Sequence, residues 1–130
     1  MDWKGRAMKI ELKHLPDPDL NPNKRLHWAQ HAKAKSVAKD EAIALVREQG
    51  KPVTPYAKAH IIITWLSKDK RRRDPDNLFA SMKPYIDGLV EAELIADDSA
   101  MNVSYTIRYE LSDKDNTIIE VKEIGQWIEG

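Results

Sequence analysis

Apolar and polar residues alternate in two stretches of the chain, as they do in half-buried β-strands. The first stretch is residues 8–12 (Met-Lys-Ile-Glu-Leu), and the second is residues 103–111, where apolar side chains fall on one face. A polar segment at 112–116 separates the second stretch from another strand-like stretch, residues 117–124. This spacing predicts that 103–111 and 117–124 form a β-hairpin.

A continuous apolar run predicts the centre of the sheet. Residues 57–66 (Ala-Lys-Ala-His-Ile-Ile-Ile-Thr-Trp-Leu) are rich in β-branched side chains, which favour strands. His60 lies within this run, and we interpret it as a strand residue that faces a neighbour rather than as a metal ligand.

Two segments have helical periodicity. Residues 26–49 contain no glycine or proline, and Gly50 and Pro52 end the segment. Small side chains on one face predict that this helix lies close to a sheet. The second segment, residues 74–93, contains Pro84, which should kink or loosen the helix. The apolar stripes are Ala34, Ala38, Ala42 and Leu45 in the first helix, and Leu78, Met82, Ile86 and Leu89 in the second.

The order of the elements, β-α-β-α-β-β, predicts an α+β fold with a mixed sheet of about four strands and two main helices packed on it. A chain of 130 residues fits a single domain over residues 1–130, with residues 1–7 as a loose leader and a proline-rich loop at 14–23. The sequence has no cysteine and no apolar stretch long enough to cross a bilayer. We therefore expect a cytoplasmic protein without disulfides and without a membrane partner.

The net charge of zero hides an asymmetry along the chain. Residues 1–83 hold 18 Lys and Arg against 10 Asp and Glu, a net of +8, and residues 84–130 hold 3 against 11, a net of −8. A polyanionic partner is one explanation. The other is that the two halves pair with each other in the fold, and charge alone slightly favours the second.

The segment from Lys68 to Ser99 concentrates the candidate chemistry. Asp74 and Asp76 flank a proline where a strand gives way to a helix, and Asp97 and Asp98 follow that helix. Carboxylates are the ligands that Mg²⁺ takes in phosphodiester hydrolysis, together with water and phosphate oxygens. The cations that could hold a nucleic-acid backbone are Lys70, Arg71, Arg72 and Arg73 beside the carboxylates, and Lys24, Arg25, Lys33 and Lys35 in and before the first helix.

Lys83 is a candidate cation for the scissile phosphate. It lies seven positions after Asp76, two turns along an unbroken helix and a rise of roughly 10 Å, so both would lie on one side. Each feature also has a purely structural explanation: a helix cap at Asp74, a surface turn at Asp98, and solvated charge in the basic run. These explanations account less well for a basic run that adjoins carboxylates from two segments.

The same residues, in this order, resemble the RusA family of Holliday junction resolvases. The resemblance covers about a third of the chain in its core. It rests on Arg71-Arg72-Arg73-Asp74-Pro75-Asp76-Asn77-Leu78, Lys83, Ile86-Asp87-Gly88-Leu89, Asp97-Asp98-Ser99 and the loop Asn21-Pro22-Asn23-Lys24-Arg25 with Trp28.

The resemblance implies a homodimeric endonuclease of DNA recombination and repair that nicks four-way DNA junctions. Such enzymes depend on Mg²⁺, for which Mn²⁺ can substitute, use no small-molecule cofactor, and are typically encoded by phages or prophages in a bacterial cytoplasm. The family's essential aspartates, which hold the metal, fall on Asp74, Asp76 and Asp98. Alignment backward from Asp87 places the essential lysine on Lys83 rather than at Ala80, with three extra residues between.

Two other functions are compatible with the sequence. The first is a protein that binds branched DNA without cutting it, which the changed lysine spacing favours. The second is a less structure-specific nuclease that acts on single strands or flaps.

Overall fold

A computed structural model describes residues 5–125 of the chain. The elements in chain order are β1 (Ala7–Leu12), a short 3₁₀ turn (Pro18–Leu20), α1 (Trp28–Gln49), β2 (Ala59–Ser67), α2 (Pro75–Ala80), α3 (Lys83–Glu91), β3 (Val103–Leu111) and β4 (Asn116–Glu123). Within these residues, no helix is long and apolar enough to cross a lipid bilayer.

The four strands form one mixed sheet in the order β1-β4-β2-β3. β4 runs antiparallel to both β1 and β2, whereas β3 runs parallel to β2 and reaches it through α2 and α3. The predicted α+β fold with a mixed four-stranded sheet is confirmed. The apolar run at 57–66 is central as predicted, because β2 pairs with a neighbour on each side.

The prediction of a β-hairpin between 103–111 and 117–124 is wrong, because β2 lies between β3 and β4. The connection instead passes the end of β2. The Ser112 amide donates to the Ser67 carbonyl at 2.8 Å, and the Lys68 amide donates to Asp115 Oδ1 at 2.9 Å. An alternation pattern indicates which face of a strand is buried but not which strand lies beside it, so the pattern could not show that β2 lies between β3 and β4.

One face of the sheet joins the helices to form the core. Ile61, Ile63 and Trp65 of β2 are buried there beside Ile119 and Val121 of β4. The opposite face of β2 carries His60, whose ring hydrogen-bonds to the hydroxyls of Ser104 and Thr106 on β3. His60 is therefore a strand residue that faces its neighbour, as interpreted from the sequence.

α1 packs mainly against α3 and also contacts β1 of the sheet, and its small residue Ala42 lies in the contact with α3. A Cβ built on Gly88 would lie 2.7 Å from the Lys39 carbonyl oxygen and 2.8 Å from Ala42 Cβ. The two helices thus meet backbone to backbone at Gly88. This contact fixes where α3 lies, and α3 carries a main part of the candidate site.

The predicted second helix is divided in two rather than kinked at Pro84. α2 ends at Ala80, and the next helix begins at Lys83 with Pro84 in its first turn. A proline is tolerated there because the first amides of a helix have no intrahelical partner. The apolar stripe survives the division, since Met82, Ile86 and Leu89 are all buried.

The prediction of a loose leader over residues 1–7 is wrong at the C-terminal end of that segment. Residues 1–4 lie outside the described part of the chain, but Ala7 belongs to β1. Arg6 contacts Glu123 with an Nη2–Oε2 distance of 2.6 Å and stacks over the Tyr56 ring at 4.8 Å. The proline-rich loop at 14–23 also contains regular structure, the 3₁₀ turn at Pro18–Leu20.

Candidate functional site

Lys83 lies between two carboxylates at the start of α3. Its Nζ is 2.7 Å from Asp87 Oδ1, one helical turn on, and it also contacts Asp98 Oδ2. The hydrogen bonds to Asp87 and Asp98 raise the pKa of Lys83 above its ordinary value. The bond from Lys83 in turn lowers the pKa of Asp98. Both groups are therefore charged at neutral pH, and the candidate cation faces a candidate metal ligand.

The segment between α3 and β3 holds Asp98 in this position. Upstream, Tyr56 anchors it, because its amide donates to the Leu94 carbonyl at 2.8 Å and its carbonyl accepts from the Ala96 amide at 2.9 Å. Asp97 Oδ1 then accepts from the Asp98 backbone amide at 2.9 Å. Asp97 thus shapes the turn while Asp98 points its carboxylate at Lys83.

The basic run before α2 is fixed by one of its own arginines. Arg73 Nη1 donates to Tyr109 Oη at 2.7 Å, to Asp69 Oδ1 at 3.0 Å and to Ser67 Oγ at 3.1 Å. Its side chain is only 15% exposed. The hydrogen bond from Arg73 also lowers the pKa of Asp69. Arg73 therefore holds the loop to the sheet and is the least available of the three arginines for a phosphate.

Asp74 and Asp76 lie at the start of α2, and both are exposed. Asp74 occupies the N-cap position, where its backbone carbonyl accepts from the amides of Asn77 and Leu78 at 3.1 and 3.2 Å. Within residues 5–125, neither carboxylate makes a side-chain hydrogen bond or an ion pair, not even the capping bond expected of Asp74. The oxygens of both carboxylates are thus unengaged by the described part of the protein.

The loop before α1 contacts α2 through asparagines. Asn23 Nδ2 donates to Asn77 Oδ1 at 2.9 Å, and the Asn23 amide is held by Asn21 Oδ1 at 2.9 Å. Sequence reasoning singled out both segments but not this bond. The available signal was that each segment contains an asparagine beside charged residues.

The candidate DNA-binding cations do not all line the same groove. A groove of about 650 Å³ runs along the loop and α2, and Arg71, Arg72 and Asp74 line it. A second groove of about 970 Å³ lies between α1 and α3, with Lys35 and Lys83 on its wall. The remaining predicted cations are exposed on the surface: Lys70 in the loop, Lys33 on α1, and Lys24 and Arg25 before α1, where Lys24 pairs with Asp19 at 2.7 Å.

An aromatic contact joins α2 to the sheet near Lys83, Asp87 and Asp98. The rings of Phe79 and Tyr105 meet edge to face with centroids 4.9 Å apart. Burial, and then the charge of Asp98, raise the pKa of the Tyr105 phenol. Sequence reasoning missed Tyr105 as a neighbour of the site because its alternation indicated only a strand residue.

The predicted metal ligands fit Mg²⁺ by chemistry but are not gathered into one group. Across the described part of the chain, no three His, Cys, Asp or Glu side chains are arranged to hold a metal ion, so Asp74, Asp76 and Asp98 do not form a preassembled three-carboxylate site. Carboxylate oxygens are the donors that Mg²⁺ takes, and one or two of them suffice where substrate phosphates and water complete the coordination. The donor set therefore allows a metal that binds together with substrate.

No family model matches the chain. A protein of Xylella fastidiosa (strain Temecula1), described as an uncharacterized protein, is 34% identical over 85 residues, which cover 63% of this chain and 56% of that protein. The chain thus spans little more than half the length of this relative.

Proposed function

We propose that the protein is a Mg²⁺-dependent endodeoxyribonuclease that nicks four-way DNA junctions as a RusA-type resolvase. The observation that carries the proposal is the contact of Lys83 with Asp98. These two residues come from different parts of the sequence motif, and the three-residue shift in lysine position had left open whether they would meet. Ala80, the other candidate position, has no charged side chain to offer.

The placement of charge supports a phosphodiester substrate. Arg71 and Arg72 are exposed along the groove that Asp74 also lines, so a DNA backbone held by these arginines would pass the start of α2. Lys83 is 63% exposed, so a phosphate can reach its ammonium group. Arg71 and Arg72 thus share a groove with Asp74, and Lys83 contacts Asp98, so cations that could stabilise a phosphate lie with carboxylates that could hold a metal ion.

Each residue has a distinct role in this proposal. Asp74, Asp76 and Asp98 would hold Mg²⁺, with Mn²⁺ as a substitute; the bound ion would polarise the phosphate and lower the pKa of a bound water. Lys83 would offset negative charge on the phosphate, while Arg71 and Arg72 bind backbone phosphates without reading sequence. Arg73 would act indirectly, by holding the loop. Cleavage in a bacterial cytoplasm by a phage or prophage enzyme is the expected setting.

The test is cleavage of a synthetic four-way junction with and without Mg²⁺, using wild type and Asp76→Asn. We expect nicking that requires the metal and falls at least about 100-fold in the variant, the scale at which loss of a transition-state charge partner acts. Asp113→Asn is the matched control because Asp113 is an exposed aspartate in the loop before β4. Undiminished cleavage by Asp76→Asn, or cleavage in EDTA, would refute this chemistry.

One observation favours a second candidate, a protein that binds branched DNA without cutting it. The three predicted carboxylates are not assembled as a metal site in the described residues. Junction binding that persists with no cleavage under Mg²⁺ or Mn²⁺ would establish this alternative. Flap and single-stranded substrates in the same assay identify a less structure-specific nuclease, which would cut them as fast as the junction.

A further inference from the structure

His14, just after β1, has oxygen atoms against both of its ring nitrogens. Its Nε2 lies 2.9 Å from each carboxylate oxygen of Glu41 on α1, and its Nδ1 lies 2.6 Å from the Leu15 carbonyl oxygen. Carbonyl and carboxylate oxygens accept hydrogen bonds but do not donate them, so each ring nitrogen must carry a proton to bond here. The two contacts are therefore satisfied together only by the positively charged form of His14.

The other three histidines of the chain show the contrast. His27 Nδ1 accepts from the Ala29 amide at 3.2 Å, which requires an unprotonated nitrogen. His31 has one ring nitrogen, Nε2, 3.2 Å from a backbone carbonyl oxygen. The ring of His60 faces two hydroxyls of β3, which can either donate or accept. Among the hydrogen bonds of the described residues, an acceptor on each ring nitrogen is thus a feature of His14 alone.

The groups around His14 favour its charged form. Asp17 in the same loop adds negative charge, and Tyr85 on α3 has its ring centre 6.5 Å from that of His14. Burial by itself lowers the pKa of His14, but the hydrogen bonds to the Leu15 carbonyl and to Glu41 raise this pKa above its ordinary value. Burial raises the pKa of Tyr85 to about 12, so its phenol stays neutral near pH 7. Histidine is the type of side chain in this cluster that changes its charge between pH 5 and 8.

The His14–Glu41 pair spans a gap between α1 and the proline-rich loop, residues 14–23. A hollow of about 310 Å³ lies between the loop and the helix, with Pro18 and Val37 among its lining residues. Leu20 is buried and anchors the far part of the loop. The charged pair therefore adds a polar contact to a loop that apolar packing holds only in part.

The same loop forms part of the groove along α2. Asn21 lines this groove of about 650 Å³ together with Asp74, Asn77 and the arginines of the basic run. Asn23 Nδ2 donates to Asn77 Oδ1 at 2.9 Å, which joins the loop to α2. A movement of the loop relative to α1 would thus reach both the groove and the start of α2.

We propose that His14 is a positioning residue: its charged ring, bound to Glu41, holds the proline-rich loop on α1, and the loop holds the start of α2 through Asn23. A neutral His14 has one N–H, so either the Leu15 carbonyl or Glu41 loses its donor and the loop loosens. A histidine whose pKa is raised by folding stabilises the folded state fully below its unfolded pKa, about 6.5. This contribution is lost as the pH rises through the higher folded pKa. The loop should therefore be held less firmly in alkaline solution.

Amide hydrogen exchange tests this inference without any substrate. In the 3₁₀ turn, the Leu20 amide bonds to the Asp17 carbonyl at 2.9 Å, and in α2 the Leu78 amide bonds to the Asp74 carbonyl at 3.2 Å. In wild type, the protection factors of both amides should fall by about two- to fivefold between pH 6 and pH 9, the scale at which a partly exposed ion pair acts. In His14→Gln, they should already be low at pH 6 and should not change further.

A second acidic residue provides the matched control. Glu41→Gln removes the carboxylate that His14 binds and should resemble His14→Gln at pH 6. Glu93→Gln removes the carboxylate that Lys51 binds at 2.5 Å, a surface pair without a histidine, and should keep the wild-type fall. Equal protection at pH 6 and pH 9 in wild type, or a wild-type fall in His14→Gln, would overturn the proposal. A fall confined to the loop, with the Leu78 amide unchanged, would overturn the link to α2.

The effect of His14 on catalysis rests on the proposed function and has its own readout. The ratio of junction-cleavage rates between wild type and His14→Gln cancels any pH dependence that the two proteins share. This ratio should be about two- to fivefold at pH 6 and approach one at pH 9. A ratio that stays constant across this range would overturn the positioning role in cleavage. Absence of cleavage by both proteins would instead refute the proposed function, and hydrogen exchange would still decide whether His14 holds the loop and α2.

Discussion

The carboxylates on the two sides of the α2–α3 division are held in opposite ways. Asp87 and Asp98 are both bonded to Lys83, so the fold fixes the position of each. Asp74 and Asp76 are exposed and bonded to no side chain or amide within residues 5–125. The candidate site therefore has a preorganised part, Lys83 with Asp87 and Asp98. In its other part, Asp74 and Asp76, no contact within the described residues fixes the carboxylates.

Under the proposed function, this contrast explains why Asp74, Asp76 and Asp98 are not gathered into one group in the described residues. The protein supplies its own cation to Asp98, which offsets the cost of placing carboxylates near one another. It leaves the carboxylates of α2 exposed to solvent. A metal that arrives with a phosphate would supply the missing charge on that side. Substitutions at Lys83 or Asp98 should therefore change activity or stability, while the positions of Asp74 and Asp76 stay the same.

Removal of the cation should have the largest effect. Lys83→Met removes the ammonium group that Asp87 and Asp98 share. These two carboxylates then lack a cation, as Asp74 and Asp76 do within the described residues. We expect junction cleavage to fall by at least about 100-fold under single-turnover conditions. The free energy of unfolding should change by less than about 1 kcal/mol, because the ion pairs are on the surface.

A matched lysine separates this effect from a general loss of charge. Lys39→Met removes a half-buried cation from the same groove, where Lys39 pairs with Glu91 at 2.6 Å. It should cleave junctions at close to the wild-type rate. If the two variants lose activity equally, Lys83 has no special role, and the contrast between the two sides has no chemical meaning.

Local pattern was sufficient to predict most of the elements. The apolar run around Ile61 and Ile63 specified a central strand, and the burial of Met82, Ile86 and Leu89 followed from their spacing. Such patterns are local because a helix or strand repeats every few residues. The incorrect hairpin prediction shows the limit of local patterns. The order of the strands depends on contacts between residues far apart in sequence, such as Lys68 with Asp115.

The candidate site was predictable in its residue types and not in its arrangement. Asp76 and Lys83 would lie on one side only of an unbroken helix, and α2 ends at Ala80. The division occurs where Ser81 Oγ and the Ser81 amide both bond back to the Asn77 carbonyl, at 2.8 and 3.1 Å. Lys83 reaches Asp98 through the path of the chain after the break, which no short-range pattern encodes.

A substitution at the α1–α3 contact should disturb the preorganised side through its support. Gly88→Ala places a Cβ against the Lys39 carbonyl oxygen, which is backbone and cannot move aside easily. We expect a loss of about 1–3 kcal/mol in the free energy of unfolding, measured by urea denaturation, despite the better helix propensity of alanine. Gly125→Ala is the control because its Cβ would meet nothing within 4 Å. A stabilised Gly88→Ala would show that the two helices are not in close contact.

The smallest expected effect is on the pH dependence of the free energy of unfolding, which should differ between Asp98→Asn and Asp76→Asn. The hydrogen bond from Lys83 lowers the pKa of Asp98 in the folded state. A carboxyl with a lowered pKa stabilises the fold fully above its unfolded pKa, about 3.9, and this stability is lost as the pH falls through the folded value. Asp98→Asn should therefore cost about 0.2–1 kcal/mol at pH 7 and less as the pH falls below 4.

Asp76→Asn is the comparison, because its carboxylate has no bonding partner to lose within the described residues. It should change the free energy of unfolding less than Asp98→Asn at pH 7, and the two variants should converge in acid. Urea denaturation of both variants and wild type at pH 7 and pH 3 measures this. An equal cost for the two substitutions at neutral pH would mean that the contact of Asp98 with Lys83 contributes nothing to the folded state, and that both sides of the division are equally open.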